Sequence, residues 1–358
     1  MARPVQDSEN SKNSKRRPVT GPPAAYAAID LGTNNCRMLI ARPYGDDFRV
    51  IDSFSRIVRL GEGVAADGVL SEDAIKRTVN ALKICTAKLQ ASGVKRIRSV
   101  ATEACRRADN GAYFLARARE EAGIDLEAIS SHEEAQLTLA GCAPLLDQAR
   151  PHALVFDIGG GSTEVVWIDA SHPSGPKAVD IISMPHGVVT LTEDFNGRTN
   201  TGESYEEIVN LIDKGLSAFD ARNGISKAVT EGRVQMMGTS GTVTTLAAMH
   251  LRLGRYDRSR VDGISLAFDH ICDVVTHLGT LDGDARLQHP CIGPRRSDLI
   301  MAGCAVLDAV CRRWPVGSLT VADRGIREGI LMSLMAEDGI NIKRPGANPG
   351  ANRHGAPQ

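Results

Sequence analysis

Two glycine turns, each beginning with an aspartate, are the part of the sequence best suited to chemistry. Asp30–Asn35 (Asp-Leu-Gly-Thr-Asn-Asn) and Asp157–Thr163 (Asp-Ile-Gly-Gly-Gly-Ser-Thr) each follow one short apolar run and precede another. This pattern predicts a strand, a tight turn and a second strand. Because glycine lets the backbone approach closely, the N–H groups of such turns can point at a phosphate. The aspartates at the strand ends are suited to hold Mg²⁺ beside that phosphate.

A third loop, Gly238–Thr242 (Gly-Thr-Ser-Gly-Thr), leads into a helical segment and adds donors at a helix N-terminus, where an anion is favoured. One glycine turn alone is usually only a tight turn. The two matching turns lie 127 residues apart, which indicates an internal repeat of domain size. Neither a Walker A motif nor a G-x-G-x-x-G turn occurs at these places. The three loops together predict a two-lobed phosphate-binding protein.

Adjacent carboxylates occur just before the second turn, in Ser130–Glu134 (Ser-Ser-His-Glu-Glu). Ser131 and Glu134 have the spacing of a capping box at a helix N-terminus, where acidic residues are favoured in any case. The capping box does not use Glu133, which is therefore the candidate general base.

Two further charged residues have a structural as well as a functional interpretation. Arg106 is suited to clamp a terminal phosphate with two hydrogen bonds, but an arginine at a helix start is usually a solvated surface residue. Glu164 lines the same cleft or takes an outward position on a strand. His132 and His186 have no partner at a metal-ligand spacing, so core or surface roles are favoured for both.

Around the turns the chain alternates helical and strand patterns, which predicts mixed α/β sheets. Helices are predicted at 71–91, 110–122, 131–139, 205–219, 298–313 and 327–335. Strands are predicted at 26–29, 38–41, 96–101, 153–156, 164–168 and 234–237. We assign residues 24–148 to lobe I, with the first turn and the catalytic glutamate. Residues 149–341 form lobe II, with the second turn and the third loop, and its last helix is free to pack back on lobe I.

Composition excludes several classes of function. The chain has 358 residues with a formal net charge of −1, which provides no field for gripping duplex nucleic acid or an acidic membrane. Eight scattered cysteines without a C-x-x-C pair are typical of reduced thiols in a cytoplasmic protein. Residues 1–23 contain no apolar signal core, and both 1–23 and 342–358 have the composition of disordered tails.

Taken together, these segments resemble the exopolyphosphatase / guanosine pentaphosphate phosphohydrolase (Ppx/GppA) family from about Ala27 to Met335. The matching segments, in the family's order, are Asp30–Asn35, Arg59–Gly63, Ala101–Arg106, Ile129–Ala135, Asp157–Thr163, Ser183–Gly187, Gly238–Thr242 and Gly325–Gly329. The resemblance implies an actin-like, hexokinase-like fold with two ribonuclease-H-like lobes and a cleft between them. It also implies Mg²⁺-dependent hydrolysis of a terminal phosphoanhydride.

The resemblance assigns roles to individual residues. Glu133 falls on the family's catalytic glutamate, which activates the attacking water, and Asp30, Asp157 and Glu164 fall on the acidic positions around the metal. The candidate phosphate-contacting residues, taken from the turns and the resemblance, are Thr33, Asn34, Arg106, Gly159, Gly160, Gly161, Ser162, Thr163, Gly238 and Thr239.

The substrate is predicted to be inorganic polyphosphate, which would be shortened by one orthophosphate at a time. Hydrolysis of pppGpp at its 5′ end is the first alternative; a kinase of the same superfamily and a non-catalytic sensor of phosphorylated nucleotides are others. The chain is similar to the short family members that lack a C-terminal helical domain, and family members commonly form homodimers. Ser131 departs from the pattern, because the family usually has glycine there.

Overall fold

The computed structural model describes residues 24–199, 202–293, 296–340 and 342. The predicted tails, 1–23 and 342–358, lie outside the described residues apart from Ile342. Among the residues described, no helix combines the length and apolarity that crossing a bilayer requires.

Two sheets form the frame of the molecule. The first has the order β3-β2-β1-β4-β5 and is built from β1 (Ala25–Leu31), β2 (Asn35–Tyr44), β3 (Asp47–Ile57), β4 (Val94–Ala101) and β5 (Glu127–Ala128). The second has the order β10-β11-β9-β6-β7-β8 and is built from β6 (His152–Ile158), β7 (Thr163–Asp169), β8 (Lys177–Met184), β9 (Val234–Thr239), β10 (Ser265–Ala267) and β11 (Ser318–Ala322).

The two sheets repeat one plan. In each, three consecutive strands form an antiparallel meander, and the fourth strand pairs in parallel with the first strand of that meander. The duplicated, mixed α/β architecture predicted from the two aspartate turns is therefore confirmed. Because a turn of the same type follows β1 and β6, the two turns occupy equivalent places in the two sheets.

The helices connect and cover the sheets. In chain order they are α1 (Val64–Asp67), α2 (Glu72–Ala91), α3 (Glu103–Arg107), α4 (Gly111–Ala122), α5 (Ser131–Cys142), α6 (Val188–Asp194), α7 (Gly202–Asn223), α8 (Ile225–Thr230), α9 (Gly241–His250), α10 (Arg258–Val261), α11 (Phe268–Thr280), α12 (Gly283–Gln288), α13 (Ile300–Arg313) and α14 (Ile326–Glu337). A short 3₁₀ turn, Ala143–Leu145, follows α5.

Strand β1 is buried on both faces, so its side chains alternate between two cores. Ile29 packs with Leu82 of α2 and Phe114 of α4 on one face. Tyr26 packs with Ile330 of α14 on the other face. Strand β6 divides its side chains between two cores in the same way. This burial on both faces explains why β1 and β6 are short apolar runs in the sequence, without the alternation of a half-exposed strand.

Helices α5 and α14 pack with their backbones in contact and link the two halves. A Cβ on Gly141 would lie 2.1 Å from the carbonyl oxygen of Gly325, and one on Gly329 would lie 2.1 Å from that of Leu137. Helix α14 also packs against β1, β2 and β4 of the first sheet, whereas α5 packs against β7 and β8 of the second. Helix α14, from the second half of the chain, thus covers the first sheet, and α5, from the first half, covers the second sheet.

Candidate active site

The first aspartate turn is held tightly by the backbone around it. Gly32 N–H donates to the carbonyl of Asn35 at 2.9 Å, and the carbonyls of Thr33 and Asn34 accept from the segment that follows β3. The side chains of Thr33 and Asn34 are buried. Among the described residues, neither Thr33 Oγ1 nor Asn34 Oδ1 has a hydrogen-bond partner. Buried polar atoms without partners are costly unless a ligand or water satisfies them. This turn therefore presents polar atoms that are suited to a ligand.

The second aspartate turn faces the first at close range. Gly159 N–H donates to the carbonyl of Ser162 at 2.9 Å, closing a tight turn. A Cβ on Gly160 would lie 3.1 Å from the backbone nitrogen of Asn34, and one on Gly161 would lie 2.7 Å from Thr33 Oγ1. A side chain at either position would therefore crowd the facing turn, whereas neither glycine has a positive φ. The two turns therefore form opposite walls of one cleft.

The third loop contributes a segment displaced from the one predicted. Gly238 and Thr239 lie within β9, where a Cβ on Gly238 would lie 2.6 Å from the Phe156 ring and Thr239 Oγ1 donates to the carbonyl of Arg324. The cleft is lined instead by the next three residues, Ser240 to Thr242. Gly238 and Thr239 were predicted to contact the ligand, but they do not line the cleft. The reason is that β9 ends at Thr239, two residues later than the strand predicted at 234–237.

The N-terminus of α5 separates the two adjacent glutamates. Ser130, not the predicted Ser131, is the N-cap, and its Oγ accepts from the backbone nitrogen of Glu133. Glu133 is not among the residues that line the cleft, and its carboxylate pairs with Arg98 at 2.5 Å. Glu134 is buried and lines the cleft. Consecutive residues of a helix point about 100° apart, so moving the cap by one residue changes which glutamate faces the cleft. Glu134 therefore lines the cleft where Glu133 was predicted to do so.

Arg106 does not line the cleft either. Its Nη1 donates to Glu134 Oε2 and to the carbonyl of Ile129, both at 2.8 Å, and its Nη2 donates to Glu103 Oε2 at 3.0 Å. Thr163 lies in β7, where its hydroxyl donates to the carbonyl of His186. Of the predicted residues, those that line the cleft are Asp30, Thr33, Asn34, Asp157, Gly159, Gly160, Gly161 and Ser162.

Two arginines on the cleft wall were missed by sequence reasoning. Arg37 lies on β2 directly across from Asp30 on β1, a pairing that the symmetry of the turn allows one to infer. Arg296 lies just before α13, and no pattern in its surroundings marks it. Both arginines line the same cleft, and burial together with the positive charge of Arg37 lowers the pKa of Arg296. The cleft thus combines cations from both halves of the molecule.

Burial raises the pKa of four carboxyl groups in and beneath the cleft, those of Asp30, Glu134, Asp157 and Glu164. The pKa of Asp157 rises to about 6, and the charge of Asp30 adds to the effect. The pKa of Glu164 rises to about 7, although hydrogen bonds from Ser183 and Ser162 oppose the rise. Burial and the charge of Glu164 raise the pKa of Glu134 well above its usual range. Four carboxyl groups that repel one another in a dry site are available both to hold protons and to attract a cation.

The carboxylates of the cleft are suited to bind the expected Mg²⁺ as a pair and not as a group of three. Within the described ranges, no group of three or more His, Cys, Asp or Glu side chains is close enough together to hold a metal. The predicted trio of Asp30, Asp157 and Glu164 therefore does not form a ready-made cage. Asp30 and Asp157 both line the cleft, and the charge of Asp30 raises the pKa of Asp157. A pair of carboxylates fits Mg²⁺, which is usually held by one or two carboxylates together with substrate phosphates and water.

Comparison with known proteins shows which family and which solved structures the chain is similar to. The model of the Ppx/GppA phosphatase family matches residues 39–338. A crystal structure of the Aquifex aeolicus Ppx/GppA family member is 30% identical, covers 88% of this chain and 98% of its own, and has a TM-score of 0.72. An exopolyphosphatase from Cytophaga hutchinsonii is 22% identical, with 89% and 99% covered and a TM-score of 0.78.

Two repeated sheets, two aspartate turns facing one another across a cleft and these structural likenesses define an actin-like α/β protein. The chain belongs to the Ppx/GppA phosphatase family. Membership makes it a phosphatase, a hydrolase of phosphate compounds, and confirms the family resemblance and the fold expected from the sequence.

Proposed function

We propose that the protein is an exopolyphosphatase, which hydrolyses the terminal phosphoanhydride of inorganic polyphosphate and releases orthophosphate. The observation that carries the proposal is the position of Glu134, a buried carboxylate on the wall of a cleft lined by three donor-rich loops. Arginines from both halves, Arg37 and Arg296, add positive charge to the same cleft. A chain of phosphates needs this combination of cations, backbone donors and one base.

Glu134 acts as the general base. Among the described residues, only Oε2 of its carboxylate has a protein donor, Arg106 Nη1, so Oε1 is available to accept from a water. As that water attacks the terminal phosphorus, its proton passes to Glu134 and the phosphoanhydride oxygen leaves with the shortened chain. Because the pKa of Glu134 is raised, the carboxylate is a stronger base than an exposed glutamate.

The turns and arginines supply positioning and charge. Developing negative charge on the transferred phosphoryl group is met by N–H groups of the facing turns and by Arg37 and Arg296. Asp30 and Asp157 are the residues that would hold Mg²⁺, which when bound neutralises phosphate charge. The unpartnered Thr33 Oγ1 is able to donate to a phosphate oxygen, and the unpartnered Asn34 Oδ1 is able to accept from the water shell of a hydrated ion.

The test compares Glu134→Gln with Glu133→Gln. Loss of the base lowers kcat by about 10²–10⁴-fold in Glu134→Gln. The Glu133→Gln variant keeps nearly wild-type turnover, since Glu133 pairs with Arg98 outside the cleft. Phosphate release is measured from polyphosphate of several lengths, pppGpp and ATP at matched terminal-phosphate concentration, with Mg²⁺ and with EDTA. Full activity in Glu134→Gln, or loss of activity only in Glu133→Gln, would return the role of base to Glu133.

The same assay separates the alternatives. Faster release from pppGpp than from polyphosphate would make the protein a pppGpp 5′-phosphohydrolase with the same residues in the same roles. Tight binding of either compound without turnover would make it a sensor. The Mg²⁺ requirement is a proposal that the EDTA arm addresses, and homodimer formation and a cytoplasmic location stay predictions.

A further inference from the structure

Arg106 is a charged side chain beside the cleft that is held by several hydrogen bonds at once. It lies at the end of α3, and only 20% of its side chain is exposed. Its guanidinium donates to three acceptors: Glu134 Oε2, the carbonyl of Ile129 and Glu103 Oε2. Glu103 belongs to the same helix as Arg106, whereas Ile129 and Glu134 lie on the segment that enters α5. An arginine held in this way cannot turn towards a phosphate without giving up bonds that it already makes.

Each acceptor around Arg106 is itself fixed. Ile129 N–H donates to the carbonyl of Ala101 at the end of β4, which anchors the Ile129 carbonyl to the first sheet. Glu103 begins α3, where its charge is favourable at the helix N-terminus. The guanidinium therefore forms a rigid bridge from the first sheet to the first turn of α5. Glu134 is the acceptor on that turn.

We infer that Arg106 is a positioning residue for the proposed base: it holds one oxygen of Glu134 so that the other faces the attacking water, and it does not bind the substrate. The inference rests on the proposed function, since it assigns Glu134 the role of base. It replaces the phosphate clamp that the sequence predicted for this arginine. The planar guanidinium group suits this role, because it presents several N–H donors in a fixed geometry. Its Nη1 donates both to Glu134 and to the carbonyl of Ile129.

Three variants test the inference: Arg106→Gln, Arg106→Lys and, as a matched control, Arg107→Gln on the neighbouring exposed position of α3. Steady-state phosphate release provides kcat and KM, and calorimetry provides the Kd of polyphosphate. Melting temperatures identify any variant that fails to fold. We expect Arg106→Gln to lower kcat by about 10–100-fold, because a misplaced base is ineffective. KM and Kd stay within about threefold of wild type, because no substrate contact is lost.

The Arg106→Lys variant recovers little of the lost kcat, because a single ammonium group does not reproduce the planar arrangement of donors that reaches all three acceptors of Arg106. In a Glu134→Gln background, Arg106→Gln lowers kcat by less than about threefold further, since residues that act as a unit are not additive. The control Arg107→Gln keeps wild-type kcat and KM.

A rise of about tenfold or more in Kd or KM for Arg106→Gln, partly recovered by lysine, would identify a substrate ligand and overturn the inference while leaving the hydrolase intact. A full multiplicative loss in the Glu134→Gln background would overturn it as well. If the wild-type protein releases phosphate from none of the compounds, the proposed function fails, and the inference fails with it.

Discussion

Burying Asp157 in the cleft costs the folded protein stability at neutral and alkaline pH. Its pKa rises from 3.8 to about 6 on folding, so the folded protein keeps this proton to higher pH than the unfolded chain. The cost is present above about pH 6 and disappears as the pH falls through the interval between the two pKa values. Asp157→Asn removes an ionisable group that folding disfavours, and the variant is therefore more stable than wild type at pH 8.

In metal-free buffer we expect Asp157→Asn to raise the free energy of unfolding by about 1–3 kcal/mol at pH 8, and by less at pH 5. Chemical denaturation at the two pH values measures the difference. The exposed Asp46→Asn, in the turn after β2, is the control and changes stability little at either pH. An equal gain at both pH values, or a loss at pH 8, would contradict the prediction.

At the scale of single residues, the sequence allowed the turns to be predicted but not the orientation of every side chain. The turn glycines were identifiable because a backbone that must approach another backbone has few alternatives. The choice between Glu133 and Glu134 depended on which of two adjacent serines caps α5, and both serines suit that role. Arg296 could not be found at all, because its position depends on how distant segments come together.

At the scale of elements, the contact between α5 and α14 controls the position of Glu134. Gly329→Ala places a Cβ against the carbonyl oxygen of Leu137, a backbone atom that cannot move without shifting α5. We expect a loss of about 1–3 kcal/mol in the free energy of unfolding, and a lower kcat because α5 carries the proposed base. Thermal denaturation and phosphate release are the measurements.

Gly279→Ala is the matched control for this change. Gly279 is also helical, in α11, but a Cβ there has no atom within 4 Å. Alanine has the higher helix propensity, so this variant is expected to gain about 0.5–1 kcal/mol and to keep full activity. Equal effects of the two substitutions would show that helix propensity, and not the contact between α5 and α14, determines the result.

Most elements were predictable because their patterns are local. The helix predicted from Ser71 is α2, and Ser71 Oγ accepts from the backbone nitrogen of Ala74 as a cap should. Asn110 precedes α4 as predicted but does not cap it, since its amide bonds the backbone of Leu70 instead. A tertiary contact that competes for the same side chain has no local signature, and so it was missed.

At the scale of the whole molecule, the internal repeat predicted the two sheets, while the side-chain contacts across the mouth of the cleft were not predictable. The segment after β3 contacts the far side of the cleft twice. Arg59 Nη2 lies 3.0 Å from Asp298 Oδ2, and Gly63 N–H donates to Glu193 Oε1 at 3.0 Å. An exposed ion pair of this kind contributes about 0–1 kcal/mol. The two contacts therefore bias the two halves towards closure without locking them.

This bias leads to a prediction for Asp298→Ala combined with Glu193→Ala, which removes both acceptors. The open form of the cleft becomes more populated, and substrate affinity falls in proportion to the fraction that is closed. We expect KM for polyphosphate to rise by about threefold to tenfold, equivalent to about 1 kcal/mol, with kcat nearly unchanged because the bound state is still closed. Small-angle scattering without substrate shows a larger radius of gyration than in wild type.

Glu121→Gln is the control, because it removes an ion pair with Arg117 inside the first half of the molecule and leaves the cleft contacts in place. Raising the salt concentration brings wild-type KM closer to that of the double variant, since the pair of Arg59 with Asp298 is exposed and screened. Because salt also screens the attraction between polyphosphate and the cleft arginines in both proteins, the measured quantity is the ratio of the two KM values, which falls towards one as salt rises. An unchanged KM, or a fall in kcat with the radius of gyration constant, would mean that these two contacts do not control closure of the cleft.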